Sequence, residues 1–208
     1  RTLLGFLIHE IAHVLYSDMD NLRRLILAAS REAGTRDTAD VAQMLNALED
    51  YYIEREASDP SSPMVGNAGA LLGRLNDTVM ADVAQGVADR ASDPIGQGIA
   101  LILAHMDRHG QQDAPVLADQ MAEARAVARP DVLDLVDAAL DRLDRIAVTC
   151  TTPADHRAAA EERATICGGL YRALSDLAQQ DDDDQQEGQQ GQQGQQDGDD
   201  QQEGQQGQ

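Results

Sequence analysis

Two histidines one helical turn apart are the residues of this sequence best suited to chemistry. His9-Glu10-Ile11-Ala12-His13 puts imidazoles at i and i+4, on one face of a helix and near enough to share a cation. Glu10 stands about 100° around that helix from His9. It can hold a water against the cation without ligating it, which is the division of labour in the H-E-x-x-H pattern. The flanks, Leu3-Leu4-Gly5-Phe6-Leu7-Ile8 and Val14-Leu15, are apolar. Polar groups entering such a helix need partners, and zinc suits this ligand type and spacing. The competing reading is a pair of hydrogen-bonded core histidines.

A structural zinc site closes with four protein ligands, whereas a catalytic one keeps three and an open water position. The third ligand must come from another helix. The cluster Leu48-Glu49-Asp50-Tyr51-Tyr52-Ile53-Glu54 is the strongest supplier. With Leu45 as the zero of the wheel, Glu49 lies about 40° away, Asp50 about 140° and Glu54 about 180°. Glu49 borders the apolar stripe of Val41, Leu45, Leu48 and Tyr52, which makes it the first choice. The alternative makes Asp50 the ligand and Glu54 its support, orienting a ligating His through the second ring nitrogen. Without the His pair, the acidic cluster would read as a solvated helix face.

These side chains need helices to position them, and the sequence reads as helix after helix. Residues 2–16 are almost wholly apolar, which predicts a helix buried on all sides. Ser17, Asp18 and Asp20 offer N-caps for a second helix that ends near Gly34. Asp37 or Thr38 opens a third, with apolar residues at i, i+4, i+7 and i+11. Asp59-Pro-Ser-Ser-Pro63 breaks the chain. Further helices are expected at about 64–90, 94–108, 115–128, 130–147 and 153–178, with Pro130 and Pro153 in first turns. No segment alternates as a strand does. The expected fold class is all-α, a multi-helix bundle carrying the H-E-x-x-H helix over residues 1–178.

Composition sets the outer limits. The 208 residues carry 16 Lys+Arg against 37 Asp+Glu, a net charge of −21. This balance excludes the basic footprint of a nucleic-acid binder and of a polybasic membrane-surface protein. No apolar run reaches the roughly 18 residues of a membrane span. Hydrophobic residues make up 42% but aromatics only 2%, so the core must be aliphatic. Residues 179–208 contain only Gln, Gly, Asp and Glu. With nothing apolar to bury, they are expected to form a disordered acidic linker or tail. Subtracting their nine acids from −21 leaves −12 on residues 1–178. The chain begins at Arg1 and enters an apolar helix at once, as an excerpt of a longer protein would.

His9 through Tyr16, followed by Asn46-Ala47-Leu48-Glu49-Asp50-Tyr51-Tyr52-Ile53-Glu54, resembles the zincin-like region of von Willebrand factor A-associated proteins of bacteria and phages. That family is similar to the T subunit of aerobic cobaltochelatase. In it, an acidic low-complexity linker leads to a C-terminal von Willebrand A domain, and the Gln-rich end of this chain matches the linker. The likeness spans residues 1–57 by motif and 179–208 by composition. Residues 58–178 carry no matching signature. Motif and resemblance together lead to a cytoplasmic zinc metallopeptidase that cleaves a peptide or protein substrate. In it His9, His13 and Glu49 hold the zinc and Glu10 is the general base. The resemblance also implies a rival: a non-catalytic adaptor coupling a von Willebrand A domain of the full-length chain to a ring ATPase, in metal insertion or complex remodelling. A scaffold has no need of a general base, so Glu10 favours hydrolysis.

Weaker signals complete the reading. Tyr16, Tyr51, Tyr52 and His105 are candidate donors to an oxyanion. His105 and His109 form a second pair at i, i+4, expected to sit at a helix C-terminus where the dipole favours them. Gly66, Gly69 and Gly73 suggest close helix packing. His156 is expected on the surface, and Cys150 and Cys167 as free buried thiols.

Overall fold

An aliphatic sequence almost without aromatics buries its apolar surface by packing helices side by side. The computed structural model describes residues 2–64, 66–105, 115–146 and 152–193, and among these all regular structure is helical. Helix α1 spans Thr2–Tyr16, and a 3-10 turn at Met19–Asn21 leads into α2, Leu22–Ala33. Helix α3 is Ala39–Ser58, α4 Ala68–Val79, α5 Val83–Ala88 and α6 Pro94–Ala104. The chain closes with α7 Pro115–Val127, α8 Pro130–Asp144 and α9 Pro153–Gln193.

Local chemistry explains several boundaries. Gly34 ends α2 in the left-handed conformation, with φ 74°, which glycine adopts without a Cβ penalty. The Asp37 carboxylate accepts the Ala39 N–H at 2.9 Å as α3 begins. Asp93 does the same for Gly96, ahead of Pro94 at the start of α6. Asp18 takes no capping role; its carboxylate accepts from the Asn21 side chain instead. The helix expected over 64–90 is two helices, α4 and α5, separated by a turn at Met80–Asp82.

Helix α3 is the axis of the molecule. It meets α1, α2, α4, α6 and α9, and from Ala47 to Ala57 every residue except Asp50 is buried. The apolar core around it includes Leu45, Leu48, Tyr52 and Ile53 from α3, Leu72 from α4, Leu101 from α6 and Leu140 from α8. Cys167 joins that core from α9; its thiol faces the Val41 carbonyl, and burial pushes its pKa up to about 12. Cys150 lies outside the described residues.

Two expectations need correction. Helix α1 is not buried on all sides: Ile8, Ala12 and Tyr16 face inward, whereas Leu3 and Val14 are 80% and 82% exposed. It lies on α4 and α3 by one face only. The chain also does not leave regular structure at Gln179, because α9 continues to Gln193. Gln and Glu are good helix formers, and Asp181 pairs with Arg129 at the start of α8. Residues 194–208 lie outside the described residues.

Candidate metal centre

The site lies where α1 crosses α3. His9 and His13 project from α1 with ring centroids 4.8 Å apart and planes 85° from parallel. Opposite them stands Asp50 of α3. Its Oδ1 is 3.2 Å from His13 Nε2 and 3.7 Å from His9 Nε2. These three donor atoms are the one His, Cys, Asp and Glu grouping among the described residues that is close enough to share an ion.

Each histidine is held by its other nitrogen. His9 Nδ1 lies 3.0 Å from Glu54 Oε1, and the N–H donates to the carboxylate. His13 Nδ1 lies 3.1 Å from the Ser17 hydroxyl. Both contacts leave Nε2 turned toward Asp50, the arrangement that outer partners impose on ligating histidines. Its hydrogen bond to Glu54 raises the pKa of His9 above the usual imidazole value, outweighing the opposite effect of burial. Asp50 Oδ2 accepts from Asn46 at 3.2 Å, while Oδ1 is buried and has no hydrogen-bond partner among the described residues.

That oxygen tests the fit to a metal. It stands close to both imidazoles without a hydrogen bond to either, and a cation among the three atoms would engage them all. A tetrahedral site with bonds of about 2.0–2.1 Å has edges of about 3.3 Å. The Asp50–His13 and Asp50–His9 separations, 3.2 and 3.7 Å, bracket that length. Two imidazoles and one carboxylate are a donor set that could hold a divalent cation.

The acids of α3 divide in a way that reverses the first choice of ligand. Glu49 does not reach α1. It is buried against α9, where Arg163 donates to it from Nε at 2.7 Å and Nη2 at 2.9 Å. Asp50 takes the place facing the histidines and Glu54 supports His9, so the alternative assignment describes the geometry. The stripe argument failed because α3 is buried nearly all round, and a helix surrounded by neighbours has no single inward face.

Tyr52 lies between two guanidinium groups, Arg163 at 4.0 Å and Arg55 at 5.0 Å from its ring centre. Arg55 also donates to Glu56 and to the carbonyls of Leu143 and Ile146. The Tyr51 hydroxyl donates to Asp144. Thus Tyr51 and Tyr52 belong to the junction of α3 with α8 and α9. Tyr16 stays on the histidine face of α1, with its hydroxyl 2.6 Å from Ser62. Glu10 is exposed on α1, next to His9 in the chain.

His105 is buried at the end of α6. Its Nδ1 donates to the Leu101 carbonyl at 2.6 Å, and Nε2 faces Arg125, which itself clamps Asp137. It therefore joins α6, α7 and α8; its second-pair partner, His109, lies outside the described residues. His156 is partly exposed in the first turn of α9, with its ring 6.5 Å from that of Tyr16.

Asn46 and Asn76 are site residues that the sequence reading missed. Asn46 carried a local signal, since i and i+4 on a helix place it beside Asp50. Asn76 carried none. No described helix is long and apolar enough to cross a membrane. No protein-family model, curated protein or solved structure matches this chain.

Proposed function

We propose that this chain is a zinc-dependent hydrolase of the H-E-x-x-H type, with His9, His13 and Asp50 as metal ligands and Glu10 as general base. One observation carries the reading: the buried Oδ1 of Asp50, which makes no hydrogen bond, faces two imidazole Nε2 atoms whose Nδ1 atoms are already engaged. Zinc held there supplies a Lewis acid and brings the pKa of a bound water down to about 7.

The chain's own residues do the rest. Glu54 and Ser17 fix the ring orientations of His9 and His13. Glu10 is exposed on the same helix, and as general base it would take a proton from water and return it to a leaving group. Of the candidate donors, Tyr16 is the one on the histidine face of α1, and its hydroxyl would have to leave Ser62 to reach developing negative charge. The substrate we propose is a peptide bond, the group on which this constellation acts.

The test combines metal analysis with peptide hydrolysis. The purified chain should bind one zinc, and Asp50→Ala should lose it. Glu10→Gln should keep the zinc and lose hydrolysis. A wild-type chain without stoichiometric zinc would sink the metal centre. A zinc-loaded wild type no more active than Glu10→Gln would favour the adaptor that couples a von Willebrand A domain to a ring ATPase.

A further inference from the structure

The support of the metal centre extends one helix further than its carboxylates. Glu54 is almost fully buried, with one oxygen on His9 Nδ1. Its other oxygen accepts from the Asn76 side-chain amide of α4 at 2.5 Å, and Asn76 is itself buried. A carboxylate with one oxygen untethered can swing about its last torsion, which is soft and broad. Tethering the second oxygen removes that freedom.

The backbone brings α4 within reach for a visible reason. Gly5 lies one turn before His9, and a Cβ there would stand 2.8 Å from both the Leu71 carbonyl oxygen and the Leu75 Cβ. The missing side chain lets α1 settle on α4, and Leu75 immediately precedes Asn76. The same contact that seats the histidine helix thus carries the amide to Glu54.

Resting on the metal-centre reading above, we infer that Asn76 is a positioning residue. It locks Glu54, which locks His9 with Nε2 toward Asp50. The inferred effect of Asn76 on His9 runs through Glu54, and this separates positioning from general support of the fold. A residue that merely fills space lowers stability whether or not Glu54 is present. A residue that works through Glu54 has nothing to lose once Glu54 is gone.

Zinc affinity by chelator competition is the first measurement, made on the wild-type chain, Asn76→Leu, Glu54→Ala and the double variant. Asn76→Leu should weaken zinc about tenfold, the lower end of the range for outer partners of a ligand. In the Glu54→Ala background it should cost less than about twofold. Leu72→Ala, one turn earlier in α4 and fully buried, should lower the melting temperature while leaving zinc affinity within about twofold. Equal losses in the two backgrounds, or no loss in Asn76→Leu alone, would overturn the inference. The second measurement needs no metal: ring nitrogen NMR of the metal-free chain at a pH where His9 is neutral. The wild type should hold the His9 proton on Nδ1, and Asn76→Leu should mix the tautomers. A wild type that binds no zinc would defeat the metal reading, while the tautomer comparison would still decide the role of Asn76. An unchanged tautomer in Asn76→Leu would refute that role.

Discussion

Adjacent residues of one helix, Glu49 and Asp50, have different work because they stand about 100° apart on its circumference. Asp50 meets the histidines, and Glu49 neutralises Arg163, which is fully buried. Removing one member of a buried ion pair costs about 3–5 kcal/mol. Glu49→Ala should therefore keep its zinc and lower the melting temperature by on the order of ten degrees. Asp50→Ala should lose zinc with little change in the stability of the metal-free chain. A melting curve and a metal analysis on each variant check both outcomes. Glu56 is a different case: it pairs with Arg55, yet burial outweighs the pair and raises its pKa to about 7. The folded chain keeps the Glu56 proton to higher pH than the unfolded one. Its stabilising contribution is full below the unfolded value of about 4.5 and is lost as pH rises to about 7. Glu56→Gln should melt near the wild type at about pH 4 and above it at about pH 8. Parallel melting temperatures across that window would contradict this assignment.

Helix α1 works as a two-sided element. Its inner face brings His9 and His13 to Asp50 of α3 and packs Gly5 on α4, while its outer face stays exposed. Valine at Gly5 would drive a side chain into the Leu71 carbonyl, a backbone atom that cannot turn aside. Overpacking of this kind costs about 1–3 kcal/mol, and here it also shifts the histidines away from Asp50. Gly5→Val should lose both stability and zinc affinity. Val14→Ser, on the outer face, should change stability by no more than about 0.5 kcal/mol and leave zinc bound. Equal zinc loss in the two variants would show that α1 is not organised by its inner face.

At the scale of the whole molecule, α9 is the strap that holds the bundle. It lies along α2 and also meets α3, α6 and α8. Its last firmly buried apolar residue is Leu174, which fits against Gly98 of α6. Beyond that point Asp181 ties α9 to Arg129, and Arg129 retains Asp131 as a second partner. Partly exposed ion pairs contribute about 0–1 kcal/mol, whereas a buried leucine contributes about 2–5 kcal/mol. A chain shortened to end at Gln180 should melt within a few degrees of the full one. Ending it at Ala173 should cost far more. A steep loss at Gln180 would mean that the acidic end of α9 packs more firmly than this pair implies.

Much of the fold and half of the site were legible in the sequence because their causes are local. Helix starts and stops follow from proline, glycine and Asx chemistry within a few residues, as at Gly34, Asp93 and Pro130. The pairing of His9 with His13 follows from the pitch of one helix. The rest depended on partners far along the chain. Glu49 is claimed by Arg163, which lies 114 residues later. Glu54 is held by Asn76, and only the close approach of α4 to α1 brings that amide within reach. A helical wheel assumes one buried face, and α3 is enclosed from several sides at once. Its local pattern therefore placed three carboxylates on one helix, and only the packing of α1, α4 and α9 around it decided which would face the histidines.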